Sequence, residues 1–134
     1  MSGTRVSMVD RLDHLVLTVR DIEESRGFYV GVLGMTEQRF GDRRVAFCFG
    51  QQKLNIHEAD GEAILPRAKS PTPGSADVCL IADRALELVV VVLEENGIEV
   101  ELGPVDRQGA LGPIRSVYLR DPDLNLIEIS TYQS

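Results

Sequence analysis

Hydrophobic and polar positions along the chain fall into the same order of periods twice. LDHLVLTV, residues 12–19, alternates as a half-buried strand does, and DIEESRGFYVGVLG then places Ile22, Phe28, Tyr29, Val32 and Leu33 at helical spacing. Asp21 with Glu24 reads as an N-terminal cap pair and Gly34 as the residue that stops the helix. Three strand-like runs follow, MTEQRF, RRVAFCF and KLNIHEA, separated by Gly-Asp and Gly-Gln-Gln turns. From Asp77 the order repeats: DVCLIA as a strand, ALELVVVVLEENG as a helix with Asp83 as N-cap and Gly97 as stop, then IEVELG, IRSVYLR and LNLIEIST as strands.

The register of the repeat can be counted. His14 to Gly34 and Asp77 to Gly97 are each 20 residues, and Phe49 to His57 and Arg120 to Glu128 are each 8. The second copy differs in its middle, where GPVDRQGALGP adds eight residues; its Gly103, Gly109 and Gly112 make it either a lid or a plain surface loop. Pro66, Pro71, Pro73 and Gly74 exclude regular structure between the copies. The predicted fold is therefore α+β: two tandem βαβββ units, residues 10–59 and 77–132, joined by a connector at 60–76. They pair into a cupped mixed sheet with helices on its outer face.

A chain of 134 residues suits one domain. Its charge of −7, with no Lys/Arg cluster, argues against nucleic acid or an anionic membrane as partner. The start, MSGTRVSMVDRLDH, has no apolar signal-like run, so a cytoplasmic location is expected. Cys48 and Cys79, each alone in a strand-like run, read as small buried hydrophobes with no bridge between them.

Strand alternation gives the helix side Leu15, Leu17, Val19, Leu54, Ile56, Val78, Leu80, Ile127 and Ile129. The opposite face receives His14, Asn55, His57, Asp77, Cys79, Glu128 and Ser130. His14 and Asp77 hold one repeat position, and His57 and Glu128 another, so the only two histidines of the chain fall at matched places. Two imidazoles and two carboxylates suit Zn, Ni, Co, Mn or Fe better than a closed structural zinc site. Taken singly, each has a plainer reading: a strand histidine is more often packed or solvated than a ligand, and Asp77 could hydrogen-bond locally after the Gly74-Ser75 turn.

The segments LDHLVLTVRD, FYVGVLGM, KLNIHE and DPDLNLIEIS resemble the motifs of the glyoxalase/bleomycin-resistance/extradiol-dioxygenase (vicinal-oxygen-chelate) superfamily over nearly the whole chain. FCFGQQKLNIHE, PGSADVCLI and RDPDLNLIEIS are most similar to its subgroup called glyoxalase domain-containing protein five. The resemblance implies a divalent metal held by His14, His57, Asp77 and Glu128, and a homodimer completing the cup across a twofold axis. It departs from the pattern at Asp77, where many members have His, and at Leu124, where the turn usually has Gly.

The activity implied is a glyoxalase I-type lyase. Its substrate would be a thiol hemithioacetal such as that of methylglyoxal and glutathione, its product a lactoyl thioester, and Glu128 or Asp77 its general base. The rivals are an Fe(II) extradiol dioxygenase, a fosfomycin-type thiol transferase and a non-enzymatic bleomycin-type binder. The dioxygenase would need open the position that Asp77 takes, and the binder has no use for metal ligands. Arg67, Lys69 and Arg107 are exposed loop cations with no assigned role.

Overall fold

A computed structural model describes residues 7–133. The first unit is β1 (His14–Val19), α1 (Ile22–Arg26), β2 (Thr36–Phe40), β3 (Arg44–Phe49) and β4 (Gln52–Glu58). The second is β5 (Asp77–Ile81), α2 (Leu86–Glu95), β6 (Leu102–Gln108), β7 (Pro113–Arg120) and β8 (Leu126–Tyr132). Each unit makes its own four-stranded sheet, in the orders β1-β4-β3-β2 and β5-β8-β7-β6. Within each, the outermost strand, β1 or β5, runs parallel to its neighbour while the rest pair antiparallel. Among the described residues no ladder joins the two sheets, so the eight strands are two sheets and not one.

Asp21 caps α1 by accepting from the Glu23 amide, and the helix widens to a π-helical stretch over Gly27–Val32 before Gly34 stops it at φ 79°. The Leu33 amide donates to the Phe28 carbonyl, five residues back. α2 ends in a Schellman motif: Ile98 N–H donates to Leu93 O, Gly97 N–H to Glu94 O, and Gly97 sits at φ 71°. Its start differs from expectation. Asp83 is taken by the neighbouring Arg84 at 2.8 Å, and Ala85 becomes the N-cap without a side-chain bond.

A second difference lies in the inserted segment. β6 begins only at Leu102, so IEVELG contributes just its end, and the strand runs on through residues 103–108. The segment expected as a lid or loop is thus mostly an edge strand. A register shift between Leu102 and Val105 accommodates Pro104, which has no amide to give. The Gly109 amide closes the hairpin on Gly112 O.

Apart from Leu15, which is exposed, the helix-side residues of both sheets bury wholly or partly into one core with Phe28 and Tyr29 of the first helical segment and Leu86 and Leu93 of α2. The units also meet through polar groups. Tyr29, fully buried and stacked on Phe47, donates its hydroxyl to Asp121 Oδ2 at 2.6 Å, and Arg20 Nε donates to Asp123 Oδ1 at 2.9 Å. Asn125 Oδ1 accepts from the Ala76 amide at the end of the connector. The turn at residues 121–125 therefore holds the end of β1, the π-helical stretch and the connector at once. No helix among the described residues is long and apolar enough to cross a membrane.

Burial first, then the Asp121 charge, raises the Tyr29 pKa well above its ordinary value. The stability this hydroxyl contributes is present in full below about pH 10 and falls away as pH climbs towards the raised value. Tyr29→Phe removes a donor from a buried carboxylate and is expected to cost about 1.5–3 kcal/mol in urea unfolding; an unchanged midpoint would show that the bond is idle. Leu124, exposed and at φ 69°, holds the left-handed place of the turn. Leu124→Gly removes no core contact and is expected to raise stability by about 1 kcal/mol in the same assay, a loss of stability being the contrary result.

Candidate functional site

The faces turned away from the helices carry the candidate chemistry. In the first unit His14, Val16 and Thr18 of β1 share a face with Lys53, Asn55 and His57 of β4. In the second, Asp77, Cys79 and Ile81 of β5 share one with Leu126, Glu128 and Ser130 of β8. His14 lies opposite Lys53, and Asp77 opposite Leu126. The ladders therefore match Glu128 with Asn55 and His57 with Ser130, two residues away from the match that equal spacing suggests. Turn length accounts for one of the two residues, since Cys48 and Lys53 enclose four residues and Arg120 and Leu126 five; the other arises before the turn, where Arg120 falls level with Cys48 and not with Phe49. All the expected residues keep their face, because a shift of two preserves strand parity.

The expected donors differ in setting. His14 and Asp77 are exposed at the starts of the edge strands, and His57 and Glu128 are half-buried. His14 Nδ1 lies 2.9 Å from Asp13 Oδ1, and that bond holds the Asp13 carboxyl below its usual range. His57 stands opposite Thr18, four residues along from the level of His14, or about 13 Å at strand rise. Burial first, then the charge of Arg44, lowers the His57 pKa, which favours a neutral imidazole. Its Nε2 is buried without a hydrogen-bond partner, and so is Oδ1 of Asn55.

In the second unit Glu128 Oε2 accepts from Ser116 Oγ at 2.6 Å and from Ser130 Oγ at 3.4 Å, and the two serines are 2.6 Å apart. Both serines are fully buried, so they fix this carboxylate's rotamer and not merely solvate it. Sequence reasoning had placed Ser130 on the face without a role and missed Ser116. The available signal was the alternation of IRSVYLR, which puts Ser116 and Tyr118 on the same side as Glu128.

Within one chain these residues do not assemble: among the described residues no three His, Cys, Asp or Glu side chains come together as a group that could hold a metal. His14 and His57 belong to one sheet and Asp77 and Glu128 to the other. The unpartnered His57 Nε2 and Asn55 Oδ1 fit a need for ligand donors on the first face, and the serine-held Glu128 fits the same need on the second. The donor chemistry thus suits a divalent ion, and the separation asks for a further surface.

The three cations without an assigned role also have places. Arg67 lines a cavity of about 480 Å³ between the connector and the Val16, Thr18 and His57 end of the first face, and Lys69 is exposed beside it in the connector. Arg107 is a β6 residue, donating through Nε to the Tyr118 hydroxyl at 3.0 Å. Cys48 and Cys79 are both free thiols, but the expectation that each is buried fails for Cys79, which is exposed and 3.3 Å from Ser130 Oγ. Alternation places it beside Asp77 on the open face of an edge strand. Burial of its sulfur, above all, raises the Cys79 pKa. Alkylation of Cys79 is therefore expected to be slow at neutral pH and to speed up through and beyond the ordinary thiol range. A rate already at its plateau at pH 7, followed by mass spectrometry, would contradict this placement.

Known proteins with similar sequences and structures cover almost the whole chain. Virulence protein STM3117 of Salmonella typhimurium is 50% identical over 125 residues, 93% of this chain and 86% of that protein. Glyoxalase domain-containing protein RDO1 of Mycosarcoma maydis is 47% identical over 93% of this chain and 70% of that protein. An integron cassette protein from the mobile metagenome of V. cholerae superposes with a TM-score of 0.92 at 46% identity, covering 96% of this chain and all of that one. Residues 11–129 match the family model of the Glyoxalase/Bleomycin resistance protein/Dioxygenase superfamily, and the chain belongs to that superfamily.

Proposed function

We propose that this protein is a metal-dependent, glyoxalase-like lyase that isomerises a thiol hemithioacetal, such as that of methylglyoxal and glutathione, to a lactoyl thioester. The observation that carries the reading is the division of the four donors between two open sheet faces: His14 and His57 on one, Asp77 and Glu128 on the other. A second copy supplies the facing half. β1 and β5, which begin with His14 and Asp77, are both edge strands and leave Leu15, Val16 and Ile81 38%, 48% and 54% exposed. Apolar edge strands of this kind favour pairing with another chain, and a twofold axis would complete both sites together.

The expected donors are His14, His57, Asp77 and Glu128. Because His57 lies about 13 Å along the same sheet from the level of His14, one of the two imidazoles would join the facing carboxylates on an ion. When bound, that ion stabilises negative charge developing on two neighbouring substrate oxygens. The proton bookkeeping falls to the chain itself. Isomerisation moves a proton from the carbon bearing sulfur and hydroxyl to the adjacent carbon, so one base must take it and return it. Glu128 is suited to this, because Ser116 and Ser130 both act on Oε2 and orient the carboxylate. Asp77, exposed at the head of β5, is the second carboxylate within reach of the same face.

Purified protein is expected to carry about one divalent ion per chain by elemental analysis and to lose most of it in His14→Ala. In a screen of hemithioacetals, Glu128→Gln should lose about 10²-fold in turnover. Asp77→Asn separates the roles: retained metal with lost turnover makes Asp77 the base, and retention of both leaves Glu128 as the base. Full metal occupancy in the His14→Ala, His57→Ala double variant overturns the ligand set. Oxygen uptake with a catechol after Fe(II) loading, without hemithioacetal turnover, overturns the reaction.

A further inference from the structure

The first unit's open face has a charge pattern unlike that of the chain as a whole. The protein carries 21 acidic against 14 basic residues, yet no strand position on this face of β1–β4 is Asp or Glu. Its charged strand residues are Arg44 and Lys53, both half-buried and both without a salt-bridge partner among the described residues. Elsewhere the arginines are mostly paired: Arg20 with Asp123, Arg26 and Arg39 with Glu37, and Arg120 with Glu101.

Both cations rest on one ring. Lys53 Nζ is 4.0 Å and Arg44 Cζ 4.8 Å from the centroid of Phe40, so the two charges lie within about 9 Å of each other. That is close to the Debye length at physiological salt, about 8 Å, so their repulsion is felt. The ring quadrupole offsets part of it. Gln38 Oε1, 3.5 Å from Lys53 Nζ, brings a dipole and no charge. Asp13, which precedes β1 and is bonded to His14, feels the Lys53 charge. No strand carboxylate shares the face of the two half-buried cations, however, and neither makes a salt bridge among the described residues, so an oxyanion from outside the chain would complete their surroundings.

We infer that Arg44 and Lys53, on the Phe40 platform, hold the oxyanion of a small acidic substrate, so that the compound turned over carries a terminal carboxylate or phospho group besides the oxygens at the reacting carbons. The inference rests on the proposed reading that this face binds substrate, since Lys53 lies directly opposite His14 in the β1–β4 ladder. It assigns the acidic end of the substrate to the β2–β4 side of His14. The second unit repeats the device in outline: Arg107 lies over the Tyr118 ring at 5.5 Å, and Tyr118 is the ladder partner of Glu128.

Inorganic phosphate and malonate are the probes, each titrated into full-length protein in chelator so that no metal contributes, and followed by amide and aromatic NMR shifts. One saturable site is expected, with shifts at residues 36–57 and on the Phe40 ring. Lys53→Met and Arg44→Gln should each weaken it about tenfold. Arg44→Lys, which keeps the charge, should lose less, and Arg39→Gln, on the helix side of β2, should lose nothing. Stronger binding of phosphate points to a phospho substrate, and stronger binding of malonate to a carboxylate. The proposal is overturned if neither anion saturates in folded protein, or if Arg39→Gln weakens binding as much as Arg44→Gln. Hemithioacetal turnover without anion binding would remove this inference and leave the lyase; anion binding without turnover would do the reverse.

Discussion

Asp121 is 3% exposed and accepts four hydrogen bonds: from the Tyr29 hydroxyl, the Asp123 and Asn125 amides, and the Asn125 side-chain amide. Three of these shape the turn that ends β7 and begins β8, and the fourth crosses to the first unit. Burying the Asp121 carboxylate would be costly were its oxygens not met this fully, so the turn and the docking of Tyr29 support one another. The placement of β8, and with it Glu128, follows from that turn. So does the length of the β7–β8 loop, which contributes one residue of the shift that aligns Glu128 with Asn55.

Because this clamp works on the helix side, the two sheets share a core there and leave their other faces open. Those faces hold two of the four buried side-chain polar atoms without a partner among the described residues, the other two being Ser25 Oγ and Asp123 Oδ2. Asn55 and His57 each keep a buried atom unpartnered, Glu128 is held by two buried serines, and Arg44 and Lys53 sit on Phe40 without a carboxylate. A solitary unsatisfied atom is a small cost, but unsatisfied groups gathered on surfaces flanked by apolar edge strands are what a shared cavity looks like before it is closed.

Much of this was legible in the chain. Period-two and helical spacings gave the order of elements and the face of every expected donor, because both are local consequences of side-chain geometry. The misreadings come from long-range terms. Whether Asp83 caps α2 depended on competition from Arg84, and whether residues 103–108 form a loop depended on a partner strand, β7, that tolerates Pro104 at an edge. The match of His57 with Glu128 failed because neither the β3–β4 and β7–β8 turn lengths nor the alignment of β7 on β3 can be read from strand spacing alone. Nothing local marks Arg44 and Lys53 as neighbours; they meet because β2, β3 and β4 stack Phe40, Arg44 and Lys53 on one face.

The most direct measurement mixes two inactive chains, His14→Ala and Glu128→Ala, and follows ion binding and hemithioacetal turnover in the mixture. A site shared between facing units restores one intact set of donors in the mixed dimer, so both signals are expected to return although neither chain alone gives them. A mixture as inert as its components, formed under conditions where wild-type chains exchange partners, would contradict a site completed by a second copy.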